Sequence, residues 1–414
     1  MKLIQCLLIC LLLQGAGITT SRANSHTVYY TRLVFVETPL SLFKGSMPIS
    51  QKVAMTRNHY RFTYDSLNRL VSVSFYNGKT PRESNETGNR FFLSSVVKIS
   101  YSKNREVLLF FDRHGNPVNI LGGVAQFVFE LDEKGFRKEL YFLNSKLQKI
   151  ENSWKIYRYT WKTDTTNAII EERYNEKGEL ASLMPGFDFF RTRLVFNQKG
   201  DIALMQNVDA NGNLVENKTG AAQDLIDMDA NGNFLGWTVL NKNHQPEKGN
   251  GPNVARGLQQ FDEKGNEISL RYEDEKGNPI FSNYGFCQSV SAFDRFGNMI
   301  YRQFLDESGK PAPHQQAGYT SMKITWDKTG NNRLRMSYFD NAGHPINHTQ
   351  RGFASSVNEY DKNGNLVKLT YYDAAGKIVN RTDNGIAYHV YEYDKKNKLV
   401  KRKDYDKDTQ LKNP

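Results

Sequence analysis

From about residue 57 to residue 410 the chain switches between short runs of apolar and aromatic side chains and short polar clusters, on a fixed beat. A run such as Leu366-Val-Lys-Leu-Thr-Tyr-Tyr372 interleaves apolar and polar positions over seven residues. That is the pattern of a strand with one buried face, and the run is too short and too rich in β-branched and aromatic residues to read as a helix. The clusters between runs are built from Asp, Asn, Gly and Lys, as in Asp361-Lys-Asn-Gly364-Asn365. An Asp side chain accepts hydrogen bonds from backbone N–H groups two residues on, and a Gly supplies positive φ without a Cβ clash. Strands joined by such clusters are β-hairpins.

The clusters form two interleaved series. Inner turns begin near Asp65, Ser102, Asp132, Lys162, Asn197, Asp229, Asp262, Asp294, Asp327, Asp361 and Asp394, and from Asn197 onward the steps are 32 to 34 residues. Outer turns, from Asn77 and Asp112 through Asp340, Asp373 and Asp406, follow their partners by twelve or thirteen residues in all but one unit. A Gly recurs nine residues before the inner-turn Asp, for example at Gly285, Gly318, Gly352 and Gly385, and marks the crossing from one unit to the next. The fold class predicted is all-β: about eleven tandem antiparallel β-hairpin repeats of about 33 residues over 57–410, forming an elongated or shell-like array. Residues 24–56 are expected to supply capping strands, and 411–414 a tail.

An aromatic or large apolar residue usually precedes the inner-turn Asp, as at Tyr64, Phe261, Phe293, Trp326, Tyr360 and Tyr393. A single hairpin cannot bury such a ring, but stacked units can, so these positions are expected to form a ladder of rings. Each would remove roughly 150–250 Å² from water, which at about 25 cal/mol per Å² contributes several kcal/mol before entropy is subtracted.

Tyr360-Asp361 with Gly364-Asn365-Leu366, and the parallel runs Phe261-Asp262 to Asn266, Phe293-Asp294 to Asn298 and Tyr393-Asp394, resemble the YD repeats of bacterial Rhs-type proteins. The resemblance covers nearly all of 57–410 and implies an exported hairpin-repeat architecture. The period of about 33 and the lack of a recognisable core or toxin segment after the repeats depart from the Rhs pattern, so a toxin role does not carry over. Phe110-Phe111-Asp112, Tyr338-Phe339-Asp340 and Tyr371-Tyr372-Asp373 also resemble choline- and glucan-binding repeats, more weakly, because the Gly-Trp dipeptide of those families occurs only at Gly236-Trp237.

The N-terminus adds a compartment. Lys2 precedes an apolar run from Leu3 to Leu13, and a small-residue stretch reaches Ser21, Arg22 and Ala23. This is the layout of a secretion signal, 1–23, cut after Ala23. Eleven apolar residues fall short of the roughly 20 that span a bilayer as a helix. Cys10 raises a lipoprotein alternative, but it sits inside the apolar run behind Leu7, Leu8 and Ile9. The expected location is secreted, periplasmic or cell-surface, with no membrane span in the mature chain. After the cut only Cys287 remains of the 3 cysteines, so neither a disulfide framework nor a zinc module is expected. The formal charge of +11 becomes +9 without Lys2 and Arg22, but the charges are spread evenly, which describes a solvated face rather than a specific nucleic-acid site.

Candidate chemistry is sparse. Asp227-Met-Asp229-Ala-Asn231-Gly232 opens like a calcium loop, but its twelfth position is Thr238 and it coincides with an ordinary turn. His344 and His348 flank Pro345 in a loop, and Cys287 stands where sister units have Ala354 or Ala387. The carboxylates recur periodically, whereas catalysis needs one special pair, so no catalytic residue, metal ligand or cofactor is expected. The function expected is binding through the surface: rings stacking on the sugars of a polysaccharide or cell-wall polymer, with Trp237, Tyr338, Phe339, Tyr371 and Tyr372 as the rings to test first. The same rings serve the core wherever they are buried. The alternatives are a scaffold, adhesin or secreted factor with a protein partner, and a carbohydrate-active enzyme.

Overall fold

A computed structural model describes residues 25–41, 43–83 and 89–413. The segment read as a secretion signal, with Cys6 and Cys10, lies outside the described residues. Strand β1 (His26–Leu33) pairs with β2 (Gly45–Ile49) on one side and β3 (Asn58–Tyr64) on the other, and β3 pairs with β4 (Leu70–Asn77). The later strands pair antiparallel with their neighbours in the chain, except that the two-residue strands Thr80–Pro81 and Lys149–Ile150 are passed over, giving one open sheet of 27 strands among the described residues. Residues 411–413, read as a tail, form a short strand against Leu399–Tyr405. The array of hairpins is the fold. Among the described residues no helix is long and apolar enough to cross a membrane.

One turn, used repeatedly, sets the geometry. At Asp361 the carboxylate Oδ1 accepts the N–H of Asn363 (2.8 Å) and of Asn365 (2.9 Å), while Oδ2 accepts from Asn365 Nδ2 (2.8 Å). Gly364 sits at φ +80° and donates its N–H to the Asp361 carbonyl. Where glycine is missing, a longer side chain takes the same left-handed conformation, as Asn68 and Asn397 do at φ 59°. The fourth inner turn is offset from its expected start near Lys162: the residue that clamps it is Asp164, whose Oδ1 accepts from Thr166 and Ala168.

A β-bulge accompanies most inner turns, falling at the residue before the Asp. Glu359/Tyr360, Ala292/Phe293, Thr325/Trp326 and Glu392/Tyr393 all show it. A bulge beside a left-handed Gly bends and twists its strand, so repetition on one edge curls the whole sheet toward that edge.

The bulge also explains why the ring ladder lies elsewhere than expected. The rings before the inner turns are only half-buried and lean on the preceding unit: Tyr393 Oη donates to the Leu366 carbonyl (3.0 Å), Tyr360 Oη to Arg333 (3.1 Å) and Trp326 Nε1 to Met299 (2.9 Å). The continuous ladder runs along the outer end, where rings two residues before the outer turn alternate with rings of the crossing. Tyr272, Phe286, Phe304, Tyr319, Tyr338, Phe353 and Tyr371 follow one another at centroid distances of 4.3–5.7 Å. An equivalent series, Phe110, Phe127, Phe142 and Tyr159, fills the N-terminal core.

Curling brings the inner turns of later units onto the N-terminal strands. Lys44 meets Asp201 (2.6 Å), Ser46 Oγ donates to the Asn231 carbonyl (2.7 Å), and the Asn58 N–H donates to the Phe296 carbonyl (2.8 Å). Farther along, Asn77 reaches Thr329 and Arg113 reaches Gly364. The sheet therefore closes through a seam of side chains and turn carbonyls, with its strand edges still open.

Because Gly364 is held at positive φ, Gly364→Val should destabilise the array by about 1–3 kcal/mol, whereas Gly364→Asn should cost much less. Thermal melts followed by circular dichroism check this. A valine variant that melts with the wild type overturns the turn assignment.

Candidate functional site

The outer-end ladder has a gap. Two residues before the outer turn, where Phe142, Tyr272, Phe304 and Tyr371 place rings, three successive units place Arg173, Asn207 and Val239. Two residues before Arg173, Glu171 stands where Leu140, Met205 and Leu270 fill sister units. Arg173 and Glu171 are fully buried and form an ion pair at 2.5 Å. Arg173 donates also to the Phe189 and Phe190 carbonyls and to Thr192, while Glu171 accepts from Trp161 Nε1 (2.7 Å) and from Thr38 of the N-terminal segment. A buried ion pair repays its desolvation only when its remaining hydrogen-bonding positions are filled, and here they are. The gap is thus a socket for the segment that follows β1.

That docking leaves a cavity of about 410 Å³ between the N-terminal segment and the central units. Glu37 and Asp224 present carboxyl groups to it, with Arg90, Asn250, Tyr284 and Trp237 also in the wall. Arg90 pairs with Glu37 (Nε to Oε2, 3.2 Å), and Asn250 Nδ2 donates to Asp224 Oδ1 (3.2 Å). Burial pushes the Asp224 carboxyl well above the usual carboxylate range, and Glu37 is close enough for its charge to add to the effect. Burial raises Glu37 as well, with the Arg90 guanidinium pulling it back. Burial thus favours the protonated form of Asp224, in which the carboxyl can donate as well as accept a hydrogen bond.

The aromatic wall is fixed in place. Phe35 stacks on Phe234 at 4.0 Å, and Phe234 on Trp237 at 5.9 Å. The indole of Trp237 also lies across Gly257, where an added Cβ would come within 2.1 Å of the ring, so that strand must carry glycine there.

Of the five rings singled out from sequence, Trp237 lines this cavity. Tyr338 and Tyr371 are rungs of the buried ladder, the latter with its hydroxyl 3.2 Å from His389 Nε2. Phe339 and Tyr372 are half-buried on strands, Phe339 beneath the Lys323 ammonium. In the calcium-like loop both Asp229 oxygens accept hydrogen bonds within the turn. His348 is buried against Tyr338, its Nδ1 accepting from the Gln350 N–H, while His344 lies exposed beside Asp340. Cys287 is fully buried, and burial pushes its thiol up to about 11.

Sequence reasoning missed Glu37, Asp224 and Arg90. Asp224 had a signal: five residues before the inner-turn Asp, sister units place Thr192, Gly257, Ser289, Met322, Ser356 or His389, and none of them a carboxylate. Glu37 and Arg90 lack a recognisable sister position, so no register exposes them.

No protein-family model matches the sequence, and no curated protein does either. Among solved structures, the chain overlaps the Tc holotoxin pore of Photorhabdus luminescens with 12% identity over 85% of its length and a TM-score of 0.25. A TcdB2–TccC3 structure overlaps 86% of it at 13% identity and a TM-score of 0.21. A porin-like protein from Bacteroides uniformis overlaps 83% of it at 9% identity and a TM-score of 0.17. The chain spans 19% and 21% of the two toxin chains and 88% of the porin-like one. At these scores the likeness decides nothing about what this chain binds.

The elevated Asp224 carboxyl has a sign that can be measured. Above the ordinary value of 3.8 an unfolded aspartate loses its proton while the native Asp224 keeps it, so wild-type stability falls as pH rises through that window, by up to about 1.4 kcal/mol per unit. Asp224→Asn cannot titrate, and its melting temperature should gain on the wild type as pH rises above about 4. A constant difference across that range sinks the assignment.

Proposed function

We propose that this chain is an exported repeat scaffold that binds a glycan, with the cavity between Glu37, Asp224 and Trp237 as its principal site. The carrying observation is that cavity. The fixed indole offers apolar surface to the C–H side of a sugar ring, and the raised Asp224 carboxyl, the Asn250 amide and the ion-paired Glu37 offer donors and acceptors to its hydroxyls in the same cavity. About 410 Å³ falls within the roughly 300–1,000 Å³ of small-ligand sites and suits one or two sugar units. The avidity reading, many weak equivalent sites along one face, loses support because two of its four remaining rings are core. Export rests on the sequence pattern of residues 1–23.

A glycan array followed by calorimetry tests the proposal. One saccharide class should bind saturably, and Trp237→Ala should weaken it by at least about tenfold, near 1.4 kcal/mol, while leaving the circular dichroism spectrum intact. Absence of saccharide binding, together with capture of a protein partner, favours the scaffold alternative.

The paired carboxyls favour one second reading, glycoside hydrolysis. Asp224 would deliver its proton to the leaving glycosidic oxygen as the C–O bond breaks, and Glu37 would take a proton from the water whose oxygen bonds to the anomeric carbon. Incubation with the bound saccharide should then release reducing ends, and Asp224→Asn should stop the release without abolishing binding. No release over a long incubation leaves a binding protein.

A further inference from the structure

A second chamber, about 770 Å³, lies farther along the seam and adjoins the first through Arg32, Glu267 and Arg302, which line both. Its walls are the N-terminal hairpins on one side and the inner turns from Gly265 to Asn397 on the other. Six guanidiniums line it against three carboxyls.

Four of these arginines reach across the seam to neutral acceptors, Arg32 Nη1 donating to the Gly265 carbonyl (3.2 Å). Arg57 Nη2 donates to the Lys264 carbonyl (3.0 Å). Arg82 Nη1 donates to Asn58 Oδ1, Asn298 Oδ1 and the Gly330 carbonyl (2.7–2.8 Å), and Arg113 Nη1 approaches the Gly364 carbonyl (3.4 Å). Arg82 is 3% exposed, and its Nε, like that of Arg57, meets no acceptor among the described residues. Burial pushes the Arg82 guanidinium down to about 10, and the neighbouring Arg113 charge adds to that, against a weaker opposing pull from Asp294 and Asp327. Arg82 and Arg113 are near enough for each charge to act on the other, which is costly unless an anion lies nearby, and guanidinium is the side chain whose planar fork suits an oxyanion. Around them Trp326, Tyr360 and Tyr393 offer rings whose polar ends are already tied to the sheet.

We propose that this chamber is an oxyanion site in which Arg57, Arg82 and Arg113 hold a carboxylate, sulfate or phosphate group. The group is either a free inorganic anion or the acidic substituent of a saccharide. The site stands independently of the glycan reading for the first cavity, since it shares neither Trp237 nor Asp224.

The test titrates the full mature chain with sodium sulfate and sodium phosphate at constant ionic strength, with chloride as the reference, and in a parallel arm with glucuronic-acid oligosaccharides and their neutral glucose counterparts. Saturable heat from sulfate or phosphate is expected, together with a rise in melting temperature that chloride does not produce. Arg113→Gln, whose side chain is half-exposed and makes only one long hydrogen bond, should weaken that binding at least about tenfold, with Arg57→Gln as the second variant should the first fold poorly. Trp237→Ala should leave it unchanged, which separates failure of this site from failure of the first. Stronger binding of the acidic oligosaccharide than of either inorganic anion assigns the source as a saccharide substituent, and the reverse order assigns a free anion. Sulfate, phosphate and acidic sugar acting no differently from chloride overturns the proposal, as does unchanged affinity in both arginine variants.

Discussion

The whole architecture depends on a carboxylate or amide that clamps its own turn. When Asp361 takes the N–H groups of Asn363 and Asn365, the chain reverses within four residues, Gly364 is left-handed, and the strand before the turn bulges. None of this needs a tertiary contact, so each hairpin can form from local instructions. The consequences are nonlocal. Bulges accumulating on one edge curl the sheet, and carbonyls of the left-handed glycines and their neighbours become acceptors facing the N-terminal strands.

Repetition and asymmetry then divide the work. Equivalent units supply the outer-end ladder, in which every ring is sheltered by the ring before and after it, and stability grows with the number of neighbours. A ladder of equivalents offers no unique site. The N-terminal segment breaks the equivalence, because it meets each later inner turn at a different point of its own length and so gives otherwise similar turns different partners. Lys44, Ser46, Asn58, Asn77 and Arg113 each mark one such meeting.

This division explains what could be read from the residues. Turns and strand spans were legible because they follow from spacings shorter than one repeat. The ladder was placed on the wrong end, since Tyr360 and Tyr371 look equally buriable in sequence and only the bulge decides which is sealed and which leans toward the lumen. Asp164 in place of Lys162 at the fourth turn is a two-residue offset of the kind that degenerate units invite. The first cavity was invisible because half of its wall comes from Glu37 and Arg90. What could have been noticed is the failure of the pattern: Arg173, Asn207 and Val239 replacing rings in three successive units, and Asp224 placing a carboxylate where sister units have none.

Those departures fall together for a physical reason. A ring removed from the ladder exposes its neighbours, and a charge placed in the same slot adds a desolvation cost of several kcal/mol, so such substitutions persist only where another part of the chain completes the hydrogen bonding. The segment after β1 does this for Glu171 through Thr38, and in doing so it brings Glu37 to Asp224 and Arg90. The socket that docks the segment and the cavity beside it are therefore parts of one construction. Removing the buried ion pair in favour of rings would be expected to complete the ladder while depriving the N-terminal segment of its anchor. The chain thus places buried polar groups, the Arg173–Glu171 pair, Asn207 and Asp224, in its central units beside the docked N-terminal segment.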